Sequence, residues 1–175
     1  MERLGFAFNP GGVHLARTMM VGDLAQLLDA SPSSSTSNEF AAAVETQNVL
    51  GKRSAESRKL AFRHLSKLYG LDLSVPLYRA FRFLLDRETE GRPLLCLLLA
   101  YARDAMLRSS APFICGLEEN EPFHRTELES FVDDLQPGRF SKATLKSTAQ
   151  NLAGTWTQSG HRVGKVKKTR RFVTA

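Results

Sequence analysis

The run Leu94-Leu95-Cys96-Leu97-Leu98-Leu99-Ala100-Tyr101-Ala102, set between Arg92 and Arg103, constrains the fold more than any other stretch of this chain. Nine apolar residues are too few to cross a membrane, which takes about 20. They are enough for a helix buried from more than one side. Leu94, Leu98, Tyr101 and Ala105 fall on one stripe and Leu95, Leu99, Ala102 and Met106 on a second. A helix from Pro93 to about Arg108 is therefore expected at the hub of the core. Such a helix needs amphipathic partners on both sides.

The flanking sequence supplies them. Met20, Leu24, Leu27 and Leu28 share a face of a helix expected from about Leu15 to Leu28. The turn-formers of Ser31-Pro32-Ser33-Ser34-Ser35-Thr36-Ser37 make a loop. Ser37 or Asn38 can cap a helix from Glu39 to about Leu50, which Gly51 ends. Ser54 suits the cap of a longer helix, Ala55 to Tyr69, closed by Gly70. In it Ala61, Phe62, Leu65, Leu68 and Tyr69 share one arc, Lys59, Arg63 and Lys67 another, and Leu60 falls among the charges without a place in the scheme. Pro76 suits the first position of a helix over Leu77–Arg87, Glu90-Gly91-Arg92 makes a turn, and Pro112 opens a further short helix. Glu118, Glu119 and Glu121 form an acidic connector to Pro122.

The last third repeats the pattern of helix, turn and helix. Thr126 and Glu129 have capping-box spacing ahead of Leu128, Phe131, Val132 and Leu135. Gln136-Pro137-Gly138 breaks that helix, and Ser141 can cap the next. Leu145, Ala149, Leu152 and Trp156 recur at i, i+4, i+7 and i+11, a register that assigns Trp156 to packing; Gly160 stops the helix. From Arg162 to Val173 the chain is β-tolerant and basic, with Gly164 available for a turn, so a hairpin wing and an unfolded tail both fit. The expected fold is mainly α, a helical bundle with two helix-turn-helix-like units and room for a small C-terminal β wing. Residues 1–70, 71–121 and 122–175 divide it into an N-terminal unit, a central core and a C-terminal unit.

With 42% hydrophobic and 24% charged residues, the chain can bury a core without staples, which excludes collagen-like, disordered and disulfide-rich classes. Cys96 and Cys115 stand in or beside apolar stretches and no secretory signal opens the chain, so two buried thiols and a cytoplasmic location are expected. His14, His64, His124 and His161 are scattered without zinc-site spacing and are expected at surface or capping positions, with no metal and no cofactor. Gly160 to Val166 has one residue too few between its glycines for a phosphate-binding loop and lacks the hydroxyl after Lys165. The pairs Asp133-Asp134 and Glu118-Glu119 are adjacent and point apart on a helix. No catalytic constellation results, and an enzyme is the least expected class.

The net charge of +6 hides a sharp division. Residues 1–134 carry 15 Lys and Arg against all 18 acids, whereas residues 135–175 carry nine Lys and Arg and no acid. That asymmetry implies a polyanionic partner, nucleic acid before membrane. A recognition helix must bury one face while presenting cations to phosphates and base edges. Lys52, Arg53, Arg58, Lys59, Arg63 and Lys67 suit that role in the first unit, opposed within it only by Glu56. Arg139, Lys142 and Lys146, with Gln150, suit it in the second. The ribbon adds Arg162, Lys165, Lys167, Lys168, Arg170 and Arg171.

Asn48-Val49-Leu50-Gly51-Lys52-Arg53-Ser54-Ala55-Glu56-Ser57-Arg58-Lys59, leading to Leu65 and Leu68, resembles the Asn-Leu-Leu…Lys-Arg-Ser signature of the BrxA family of BREX phage-defence systems. The central apolar helices and the Ser141…Thr144-Leu145…Leu152 helix follow that family's order over residues 10–160. The resemblance implies a small, all-helical, non-enzymatic protein that binds double-stranded DNA, with winged-helix-like parts and some likeness to the antitermination factor NusB. The family was once described as inner-membrane proteins, which the nine-residue apolar run argues against. The chain departs from the family in its Ser-rich 31–37 loop and in a basic tail where another helix is expected. Two other classes stay open: a scaffold subunit that docks other defence-system proteins, and an RNA-binding factor of NusB type.

Overall fold

The computed structural model describes residues 1–9, 11–165 and 167–173. Among them the helices are α1 Val21–Asp29, α2 Ser37–Glu45, α3 Ala55–Tyr69, α4 Pro76–Leu85, α5 Arg92–Arg103, α6 Ala105–Cys115, α7 Arg125–Leu135 and α8 Lys142–Gln158. A single ribbon, β1 Arg162–Val163 with β2 Thr169–Arg170, closes the chain. The mainly helical class expected from the sequence is present, and of the two readings open for the C-terminal stretch the chain adopts the small wing. Buried side chains from Val13 to Trp156 form one cluster, so the three segments share a core.

Local chemistry sets several boundaries where the sequence places them. Ser54 Oγ accepts the Ser57 N–H at 3.1 Å to start α3, and Gly70, with φ +86°, ends it. Ser141 Oγ accepts the Thr144 N–H at 3.2 Å to start α8. Leu145, Ala149, Leu152 and Trp156 are all buried along it.

Other boundaries move, each for a long-range or capping reason. The first helix begins at Val21 and not near Leu15, because Met19 is pinned on both sides: its N–H donates to Thr155 Oγ1 at 2.9 Å and its carbonyl accepts the Tyr69 hydroxyl. Met20 then turns the chain at φ 53°. Thr36, not Ser37 or Asn38, caps α2, its Oγ1 accepting the Glu39 N–H while the Glu39 carboxylate accepts the Thr36 N–H. That helix stops at Glu45, short of Leu50. In α7 the Glu127 carboxylate accepts the His124 N–H, so the helix starts at Arg125. Glu129 meanwhile pairs with Arg125 at 2.6 Å.

The hub helix differs most. It ends at Arg103, where Asp104 turns extended and caps α6, and Pro112 lies inside α6 instead of opening a helix. Of the two apolar stripes on α5, only that of Leu95, Leu99 and Ala102 is covered along its length. Cys96, Leu97, Leu99, Ala100 and Ala102 are buried, and Met106 joins them from α6. On the stripe of Leu94, Leu98, Tyr101 and Ala105, Leu98 is 55% and Tyr101 37% exposed. The neighbours α3, α4 and α6 all pack on α5. Cys96 is buried as expected, whereas Cys115, at the end of α6, is exposed.

The ribbon pairs Arg162 with Arg170 and Val163 with Thr169. It is anchored on the acidic connector: Arg170 N–H donates to the Glu121 carbonyl and Asn120 N–H to the Arg170 carbonyl, both at 2.8 Å. Backbone pairing therefore ties the acid-free tail to the most acidic stretch of the chain.

Candidate nucleic-acid interface

The signature stretch after α2 has a structural basis. Asn48 adopts φ 54°, its side-chain oxygen accepts the Lys52 N–H at 2.8 Å, and Leu50 plugs the core. Lys52 Nζ meets Asp23 at 2.9 Å, and Ser54 opens α3. Asn, Leu, Lys and Ser at these positions build a helix-to-helix connector and brace it on α1. Lys52 is thereby committed to an internal ion pair.

Beyond that turn, α3 presents Lys59, Arg63 and Lys67 to solvent, on the side opposite Ala61, Leu65 and Leu68. The three span ~12 Å along the axis. They line an open cleft with Leu60, Phe62 and Arg103, which gives Leu60 the place the periodicity lacked. Arg103 donates to the carbonyls of Gly5, Ser66 and Lys67, fixing the end of α3 beside that row. Arg53 is exposed in the turn, while Arg58 is half-buried and stands off the row.

In the second unit Lys142, Lys146 and Gln150 are exposed on the first half of α8. Its second half is covered by the N-terminal segment: Asn151 donates to the His14 carbonyl at 3.2 Å and Gln158 to Thr18 Oγ1 at 3.3 Å. Arg139, before α8, is exposed, bonded to Gln136 and over the Phe140 ring.

The cations of the ribbon divide by exposure. Lys165, Lys167 and Arg171 face solvent and Lys168 is half-buried. The cross-strand pair Arg162 and Arg170 turns inward. Arg170 is 6% exposed and donates from Nε to the Ile114 carbonyl at 3.1 Å. Arg162 sits 4.6 Å over the Phe123 ring. These two arginines seat the wing on α6 and the α6–α7 connector. Among the described residues, Lys52 is the only one of the candidate cations held in an ion pair.

Sequence reasoning missed a buried polar centre. Asp104 Oδ2 lies 3.1 Å from His14 Nδ1, and His14 Nε2 lies 2.9 Å from Thr155 Oγ1. The order carboxylate, imidazole, hydroxyl is that of a nucleophile relay, yet all three groups are sealed in the core and Thr155 Oγ1 already accepts the Met19 N–H. The centre ties the N-terminal segment to α6 and α8. Burial pushes the Asp104 carboxyl up, but the His14 contact and the Leu107 and Val13 N–H groups outweigh it and hold it below the usual value. Gly12 passes so close that a Cβ there would overlap the carboxylate. The signals available in the sequence were Gly11-Gly12 ahead of His14 and an Asp at N-cap spacing from Leu107.

His64 is buried, not at the surface, and burial plus Arg17, Arg63 and Lys67 lower its pKa. His161, half-buried against Trp156, is lowered by burial and by Arg170. In the unfolded chain both take a proton near pH ~6.5. Below that pH the unfolded state binds more protons than the native one, so stability should fall as pH drops through ~6.5 toward the lowered native values. Urea unfolding at pH 7.5 and 5.5 tests this, and His64→Gln should reduce the difference. Equal or greater stability at pH 5.5 would contradict two histidines kept neutral by the fold.

No group of three or more metal-binding side chains occurs among the described residues, and no helix among them is long and apolar enough to cross a membrane. No protein-family model matches the sequence, and no curated protein matches it.

Proposed function

We propose that this protein binds duplex DNA mainly through phosphate contacts, as a non-enzymatic component of a bacterial anti-phage system of the BREX type. The observation that carries the proposal is the solvent-facing set Lys142, Lys146, Lys165, Lys167 and Arg171, drawn from a 41-residue stretch that contains no acid. A helix whose first half buries one face and leaves a polar face to solvent, followed by a basic wing, is the arrangement by which a recognition helix enters a major groove while a ribbon holds the backbone. The Lys59, Arg63 and Lys67 row offers a second phosphate track. The defence-system part rests on the Asn48–Lys59 signature and the helix order alone.

Fluorescence anisotropy with two unrelated duplexes across a salt series tests the proposal. Each neutralised phosphate adds about 0.9 to the slope of log K against log salt, so ~5 contacts should give a slope near −4 to −5 on both duplexes. Replacing Lys59, Arg63 and Lys67 together by Ala should weaken binding and reduce the slope by as much as ~2.7, while the helix itself is unharmed because Ala is the best helix former. A flat salt response, or no binding at low salt, would reject DNA as the partner. Tighter binding to single-stranded RNA of equal length would favour the NusB-type reading. The exposed apolar residues Leu98 and Tyr101 on α5, with Phe83 and Leu84 on α4, favour a scaffold role as the second reading.

A further inference from the structure

We infer that the crevice between α1, α4 and α5 is a binding site for a small apolar carboxylic acid. The inference stands apart from DNA binding, whose residues lie elsewhere. Val21, Leu24, Ala25 and Leu28 of α1, Leu85 of α4 and Cys96 of α5 form its apolar walls, which enclose about 230 Å³. An apolar cavity of ~150 Å³ accepts benzene, so this one has room for a ring or short chain with a carboxylate attached. Burial pushes the Cys96 thiol up to about 12, leaving a neutral, unreactive wall.

The polar groups gather on α4, α5 and the end of α1: Arg82 and Arg92, with Asp29 and Asp86. The Arg82 side chain is only 11% exposed, and its buried Nε has no hydrogen-bond partner. Its Nη2 stands 3.7 Å from Asp86, an ion-pair distance too long for a hydrogen bond. Arg92 Nε makes one long bond, 3.4 Å, to the Leu85 carbonyl. Two guanidinium groups with unmade bonds beside an apolar slot suit a carboxylate, which accepts from the planar fork with both oxygens. Asp29 and Asp86 are exposed at the rim whereas Arg82 is nearly buried, so the guanidinium and not the carboxylates faces the apolar slot. The low net charge favours a monoanion over a phosphate dianion. A monoanion with an apolar body gains from both parts of the site.

Phenylacetate and hexanoate, each beside its neutral amide, are the probes, and the methyl NMR signals of Val21, Leu24, Leu28 and Leu85 are the readout. Both acids should give saturable shifts confined to those residues at millimolar concentrations, and the amides weaker ones. Arg92→Gln, at an exposed side chain, should weaken the acids by about tenfold, the scale of a charge-assisted hydrogen bond, and leave the amides unchanged. Ala25→Leu, also at an exposed position, should fill the slot and abolish the shifts while thermal unfolding shows the fold retained. The site is refuted if the acids give no saturable shift, if amide and acid bind alike, or if Ala25→Leu binds as the unaltered protein does.

Discussion

Asp104→Ala should destabilise the protein by roughly 3–5 kcal/mol, the scale for leaving two buried N–H donors without their carboxylate acceptor. One carboxylate, 1% exposed, serves three elements. It accepts the Leu107 N–H at 2.9 Å and so starts α6. It accepts the Val13 N–H at 2.5 Å, and it contacts His14, which reaches Thr155 on α8. Alanine leaves the buried donors on Val13 and Leu107 unpaired at about 1–3 kcal/mol each, the Leu107 bond being also the cap of α6. Total stabilities run to about 5–15 kcal/mol, so the loss is a large share of the whole. Urea unfolding followed by circular dichroism at pH 7.5 measures it. Asp23→Ala, which frees the partly exposed Lys52, is the control and should cost under about 1 kcal/mol. A loss at Asp104 no greater than at Asp23 would mean that the buried centre does not hold the N-terminal segment in place.

That centre also marks where sequence legibility ends. The caps at Ser54 and Ser141, the glycine after α3 and the Leu145–Trp156 stripe follow from residues within a few positions of each other, and the structure keeps them. The break at Asp104 does not. Apolar spacing runs on from Leu99 through Ala102 to Met106, and only the distant Val13 and His14 groups give Asp104 a reason to leave the helix. The wheel for α5 shows two apolar stripes but cannot say that the neighbours cover just one, which leaves Leu98 and Tyr101 in solvent. The candidate interface is legible to the same degree. Lys59, Arg63 and Lys67 stand out because their arc opposes an apolar one. Arg162 and Arg170 look the same as Lys165 and Arg171 in a basic ribbon, and only their cross-strand pairing and the distant Ile114 and Phe123 contacts seat them inward. Lys52 is lost to the surface through Asp23, 29 positions away.

Trp156→Ala should cost a further ~3–5 kcal/mol in its own right, the range for truncating a large buried aromatic. The indole is 2% exposed and completes the Leu145, Ala149, Leu152 face of α8. Its Nε1–H donates to Ser110 Oγ at 3.0 Å, and Ser110 in turn donates to the Leu107 carbonyl at 2.8 Å, so the ring joins α8 to α6 by a hydrogen bond as well as by area. The His161 ring meets it edge-on with centroids 5.2 Å apart, which links the start of the wing to the same anchor. Trp156→Phe keeps most of the apolar contact and gives up the Ser110 bond, and should lose only about 1–2 kcal/mol more than a neutral hydrogen bond is worth. As the only tryptophan in the chain, Trp156 also reports its own surroundings. Its emission should be blue-shifted in the folded protein and should not be quenched by single-stranded DNA, because an indole in the core cannot stack on a base. A red-shifted emission that single-stranded DNA quenches strongly, with little loss of stability in Trp156→Ala, would place the ring at the surface and make it a stacking platform of ~1–3 kcal/mol per base.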